Sequence, residues 1–271
     1  MNDITHYPLL VFLISFTLLW LAALLGRYLL QKRQKPDKEL WEDFGIVIAA
    51  ALTLSALIIG FSFSMAVNRY DERKNFEEGE ANAIGTEFVR VDLLPAADAN
   101  KLRALLKSYL EQRIAYYLVR DDQAIKQINT RTTELQTEMW SAIRAAAAAQ
   151  PTPITALAVS GMNDVLNAQG YAQAMFWNRI PIAAWALMAV IGVFSNLLVG
   201  YGLRSNTAGT RLLPILPLLV AIAFMFIADI DAPRHGIILV RPQNLISLAE
   251  SLKPQNPTGT SGDGAMEPVR R

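Results

Sequence analysis

No charged residue stands between Phe44 and Asn68, inside the stretch WEDFGIVIAAALTLSALIIGFSFSMAVNRY that runs from Trp41 to Tyr70. A helix crosses the hydrocarbon core of a bilayer with about 20 apolar residues at about 1.5 Å rise each, so this run of roughly 25 predicts a membrane span. Small and hydroxyl-bearing residues interrupt it. Gly60, Ser64 and Asn68 are spaced by four, the small-xxx-small pattern that brings helices close. Ser55, Ile59, Ser62, Ala66 and Arg69 follow the three-four rhythm of another face, and Arg73 stands one turn beyond Arg69. Two readings are open. Both faces pack against neighbouring helices, or one packs and the other lines a passage that ends in arginines.

Three other uncharged runs share this character. Tyr7 to Gly26 predicts a first span; it lacks the basic start and small-residue cleavage site of a signal peptide, and is expected to be retained. Its small residues Ala22, Ala23 and Gly26 gather at one end. Ile180 to Leu203 predicts a third span entered through Pro181. Leu212 to Ala228 predicts a short fourth one, with Pro214 and Pro217 near its start. A hydrophobic fraction of 52%, gathered in these blocks, places the chain among integral membrane proteins. Its expected surroundings are the lipid bilayer of a cell membrane, crossed several times, and the inner membrane if the cell is a Gram-negative bacterium.

Composition also excludes. A net charge of +1 argues against a nucleic-acid partner. The chain has no cysteine, hence no disulfide or thiolate–metal site. Its two histidines, His6 and His235, match no metal-ligand spacing. A phosphate-cradling glycine loop, a nucleophile elbow and an HExxH motif are all missing, so neither an enzyme nor a cofactor is expected.

From Tyr70 to Arg179 the chain is soluble in character. Phe76, Ile84, Phe88 and Val91 recur at helical intervals among charges, predicting an amphipathic helix that continues out of the second span until Pro95. A second helix opens near Asp98, with Leu102, Leu105, Leu106, Tyr109 and Ile114 on one side. A third is expected from about Asp122 to Ala149, broken by Gln150-Pro151-Thr152-Pro153, and a fourth from about Ile154 to Asn178. No alternating strand pattern occurs. The expected fold is all-α: transmembrane hairpins at 1–68 and 180–229, an extramembrane helical domain at 69–179, and a C-terminal segment at 230–271, disordered after about 253. Four spans put both termini on the domain side. Lys32, Arg33, Lys35, Lys38, Arg204 and Arg211 flank the short loops; Arg69, Arg73, Lys74, Arg179, Arg234 and Arg241 lie on the domain side. The positive-inside rule is therefore tied over the whole chain. The first span alone, with its neutral start and basic exit, would place the domain outside the cytoplasm.

The segment GFSFSMAVNRYDERKNFEEGEANAIGTEFVRVDLLP resembles the signature of the bacterial bestrophin-like membrane proteins, and DIDAPRHGIILVRPQNLISL resembles their second signature. That family is distantly similar to the bestrophin anion channels. The resemblance implies a homopentamer with the helical domain and both termini in the cytoplasm, passing small inorganic anions through a pore lined by the second span. It implies a narrow apolar neck, for which Ile59, Phe63 and Val67 have the one-turn spacing, and a positive mouth, for which Arg69 and Arg73 stand at the right end. A ridge facing lipid or another helix is the competing account of Ile59, Phe63 and Val67. Bestrophins hold calcium with acidic residues after the fourth span. Here only Asp229 and Asp231 stand there, short of the six to eight oxygens calcium takes, and a helix-ending role paired with Arg234 is expected instead. Glu77, Glu78 and Glu80 are expected on a solvated helix face, paired with Arg73 and Lys74. Asn82 and Thr86, four apart, are candidates for contact with a neighbouring subunit. The alternative function is a membrane sensor or scaffold whose helical domain binds a ligand or partner.

Overall fold

The computed structural model describes residues 4–31, 38–203 and 211–253. After a short turn at Ile4–His6, helix α1 runs over Pro8–Gln31 and α2 over Lys38–Arg90. No proline falls between Pro36 and Pro95, and α2 continues for 53 residues, about 80 Å at the usual rise. A 3-10 turn at Val91–Leu93 ends it, and Pro95 starts α3, Ala96–Leu118. Asp121 caps α4, Asp122–Ala149, by accepting the Ala124 N–H at 2.8 Å. Thr152 caps α5, Pro153–Trp177, in the same way through Thr155, with Pro153 in the first turn where its missing N–H is not needed. Then follow α6, Ile182–Gly202, α7, Ile215–Asp231, and α8, Gln243–Ser251. The described residues contain no strand.

Two cores share the long helix. At one end α2 packs with α3, α4, α5 and α8 around Ile84, Leu102, Leu106, Met139 and Met162, with Leu245 closing the cluster from α8. At the other, α1, α2, α6 and α7 meet around Leu19, Ala66, Met188, Phe224 and Ile227. Between α1 and α6 the backbones nearly touch: a Cβ on Gly26 would overlap the Leu197 carbonyl oxygen, and one on Gly200 would overlap that of Ala23. The small residues clustered at the end of the first apolar run thus mark a close helix crossing.

Three helical stretches are long and apolar enough to cross a membrane, one in α1, one in α2 and one in the α5–α6 region. The uncharged part of α2 is residues 44–68, and charged residues recur along the helix from Arg69 to Arg90. Helix α7 is apolar but has 17 residues and is not among the three. The basic residues Lys32, Arg33, Lys35 and Arg204, and the segment after Lys253, lie outside the described residues.

Candidate functional site

The three-four rhythm of the apolar part of α2 does not stop at the charges. Ser62, Ala66, Arg73, Glu77, Glu80, Ile84, Glu87 and Val91 fall on it, and every one of them is buried. This is the face of α2 that the rest of the chain covers. The Gly60, Ser64 and Asn68 ridge is the uncovered one: all three are exposed, and a Cβ on Gly60 meets nothing within 4 Å. Ile59 and Val67 are half-buried against the cluster around Ala66 and Ile227, whereas Phe63 between them is 44% exposed. Ile59, Gly60 and Phe63 border an apolar groove of about 680 Å³ whose other wall is Leu219, Val220 and Phe226 of α7.

Arginines fasten α2 to the ends of α5 and α7. Arg73 is 2% exposed; its Nη1 donates to the Ile230 carbonyl and its Nη2 to the Asp231 carbonyl, both at 3.0 Å, and its Nε to the Met175 carbonyl at 3.3 Å. The guanidinium therefore sits on the last carbonyls of α7, where a cation is favoured by the unsatisfied C=O groups and the helix dipole. The Asp231 carboxylate closes the arrangement, 4.0 Å from Arg73, 3.5 Å from Arg179, and accepting the Ile180 N–H. Arg69, half-buried, donates to the Asn178 side chain at 2.7 Å. Arg73, expected at an open mouth, is therefore part of the protomer's interior, whereas Arg69 keeps part of its surface exposed.

Asp229 and Asp231 are satisfied by backbone and by different cations from the one expected. Asp229 accepts the N–H groups of Ile237 and Ile238 at 2.7 and 2.9 Å, and ties down the loop after α7. Arg234 pairs with neither aspartate. Its Nη1 donates to the carbonyls of Tyr116 and Val119, and the guanidinium lies over the rings of Tyr116 and Phe176. Stacking with desolvated aromatics and capping the end of α3 outweigh a local ion pair here. Among the described residues no group of three or more His, Asp or Glu is placed to hold a metal ion.

The acidic run is also not a solvated face. Glu78 is exposed, but Glu77 and Glu80 are 1% and 0% exposed. Glu77 accepts from Asn244 Nδ2 at 2.7 Å and the Leu245 N–H at 3.0 Å, holding the start of α8 on α2. Glu80 pairs with the fully buried Arg113 and accepts the Tyr117 hydroxyl at 3.3 Å. Arg113 stays charged through this pair even though burial opposes it. Glu87, one further step on the rhythm, has no hydrogen-bond partner on either oxygen and packs directly on Gly161 of α5. Burial pushes its carboxyl up to about 8, against the pull of Arg90. Residue types alone point away from these positions; the helical phase carried from Ser62 and Ala66 to Ile84 and Val91 is the signal that could find them.

A family model described as the Bestrophin-like domain matches residues 12–245. Among solved structures, a variant of a bacterial bestrophin homologue from Klebsiella pneumoniae aligns at 13% identity over 88% of this chain and 96% of that one, with a TM-score of 0.60. The homologue from the same organism phased on zinc aligns at 14% identity, over 89% and 98%, with a TM-score of 0.59. At such identities the likeness is one of fold. No curated protein matches the chain.

Proposed function

The chain belongs to the bestrophin-like family, and from that premise we propose that it forms an anion-permeable membrane channel, a homo-oligomer with α2 lining a central pore. One observation carries the reading: Ser64 and Asn68 are exposed on the apolar part of α2, where only Ser55, Ser62 and Ala66 are buried inside the protomer. Polar side chains turned to lipid are disfavoured, so this face calls for protein or water beside it. A symmetric assembly about an axis next to α2 supplies both. In that arrangement Ile59, Phe63 and Val67 form rings at successive turns, a constriction that gates by losing its water. Arg69 provides the positive mouth, held in place by Asn178. Helix α7, at the lower limit of spanning length, completes a fourth crossing, which makes the chain a multi-pass protein of a bacterial inner membrane.

The test is anion flux into liposomes containing the purified protein. Ile59→Ala and Phe63→Ala are expected to raise flux about tenfold, the effect of lowering the barrier by about 1.4 kcal/mol. Flux unchanged by both substitutions sinks the neck.

A further inference from the structure

The two histidines, at opposite ends of the sequence, meet in space: the rings of His6 and His235 are 5.8 Å apart, edge to face. They line a chamber of about 270 Å³ where the apolar helices end, at the start of α1, the end of α5 and the loop after α7. Its polar wall holds Arg234, Asn129 and Asp122; its aromatic wall holds Tyr7, Tyr116 and Trp177. Two buried polar atoms of the lining have no hydrogen-bond partner, His235 Nδ1 and Asn129 Oδ1. Buried groups of that kind are uncommon in folded proteins and call for a ligand or water. The guanidinium of Arg234 has five donors, and the Tyr116 and Val119 carbonyls take only Nη1.

A second space adjoins the chamber. A groove of about 280 Å³ runs from the same Tyr7 and His235 onto Leu9, Met225, Phe226 and Ile238, and its lining is almost wholly apolar. A polar chamber and an apolar groove that share two residues at the edge of the membrane-crossing helices match one amphiphile, head in the first and chain in the second. Trp177 and Tyr7 are exposed at that level, as expected of residues at a membrane–water boundary.

We propose that this pair of cavities binds one bilayer phospholipid whose head carries both a phosphate and a primary ammonium, as phosphatidylethanolamine does. Arg234 and His235 meet the phosphate. The ammonium meets the Asn129 Oδ1 acceptor beside the Trp177 ring, and the exposed Asp122 carboxylate, two turns back along α4, adds a longer-range attraction. Mixed charge decides the class. A purely anionic head meets Asp122 with like charge and offers Asn129 Oδ1 at most a hydroxyl, while a head without a phosphate leaves Arg234 unused. The chain lies along the groove between the first turn of α1 and the end of α7. The proposal rests on the protein being embedded in a membrane and is independent of whether it conducts.

The experiment is native mass spectrometry of the full chain purified in detergent, with phosphatidylethanolamine, phosphatidylglycerol or soluble O-phosphoethanolamine added. The wild type is expected to retain phosphatidylethanolamine about tenfold better than phosphatidylglycerol, the effect of one charge-assisted hydrogen-bond set. O-phosphoethanolamine at the same concentration is expected not to displace it, because it lacks the chain. Asn129→Leu should abolish the preference between the two lipids, and Ile238→Gln should weaken retention of both. Equal retention of the two lipids by the wild type overturns the head assignment. Displacement by O-phosphoethanolamine, or unaltered retention in Ile238→Gln, overturns the lipid and leaves a site for a free small molecule. The wild-type competition decides without any variant.

Discussion

Glu87 is held where two helices touch, with the backbone of Gly161 against one carboxylate oxygen and Arg90 and Asp164 one turn along. An ordinary glutamate titrates near 4.5, whereas burial raises this one to about 8. Between those values the folded chain keeps a proton that the unfolded chain has lost. Stability therefore falls as pH rises through this window and is level above it. Glu87→Gln removes the titration while keeping the shape. The variant is expected to match the wild type near pH 5 and to exceed it near pH 8, by on the order of a few kcal/mol. Thermal midpoints in detergent at the two pH values check this, and a difference that does not grow with pH would show that Glu87 is not protonated in the fold. Arg73, Glu77 and Glu80 are a different kind of buried charge. Each has its partner, and removing one partner strands the other in the interior. Their partners, Asp231, Leu245 and Arg113, are supplied by α7, α8 and α3, far along the chain. Charge alone places such residues on a solvated face, as expected of Glu77 and Glu80, and no local signal says which distant group will meet them.

Helices are legible wherever a residue's chemistry forces a boundary. The prolines at 95, 153 and 181 fall at helix boundaries, because a missing N–H acts locally, whereas Asp98, expected to open α3, stands two residues inside its start at Ala96. Which face of a helix is covered is less legible. The small residues of α2 predict close packing, yet within the protomer that packing falls to the ridge of Ser55, Ser62 and Ala66. The small residues of α1 do mark a close crossing, but Ala23 and Gly26 acquire meaning only with Leu197 and Gly200 opposite, a pairing between elements remote in sequence. This crossing supplies a prediction. Even one methyl on Gly200 meets the Ala23 backbone, so the helices must part; Gly200→Ala is expected to destabilise by about 1–3 kcal/mol. Gly170, inside α5, has open space around it, and Gly170→Ala should be neutral or stabilising by up to about 1 kcal/mol. Thermal unfolding of the two variants side by side separates a steric effect from a general intolerance of helix glycines; equal behaviour would deny the close crossing.

At the scale of the molecule, α2 is one rod shared by two cores, buried along one side over both of them and bare along the other from Gly60 to Thr86. A bare ridge carrying Ser64, Asn68, Asn75, Asn82 and Thr86 is too polar for lipid at one end and continuous with the domain at the other. The self-association proposed for this chain would answer both requirements at once. Gly60 makes the assembly testable apart from the protomer. A Cβ there touches nothing in the chain, so Gly60→Leu is expected to leave the fold of one subunit intact. If the ridge packs against a second copy, the same change should shift the population toward smaller species. Native mass spectrometry of the wild type and Gly60→Leu reads both outcomes. A wild-type pentamer that the variant weakens places α2 at the interface between copies. A wild-type monomer removes the central pore, and leaves the helical domain as a binding module joined to the membrane.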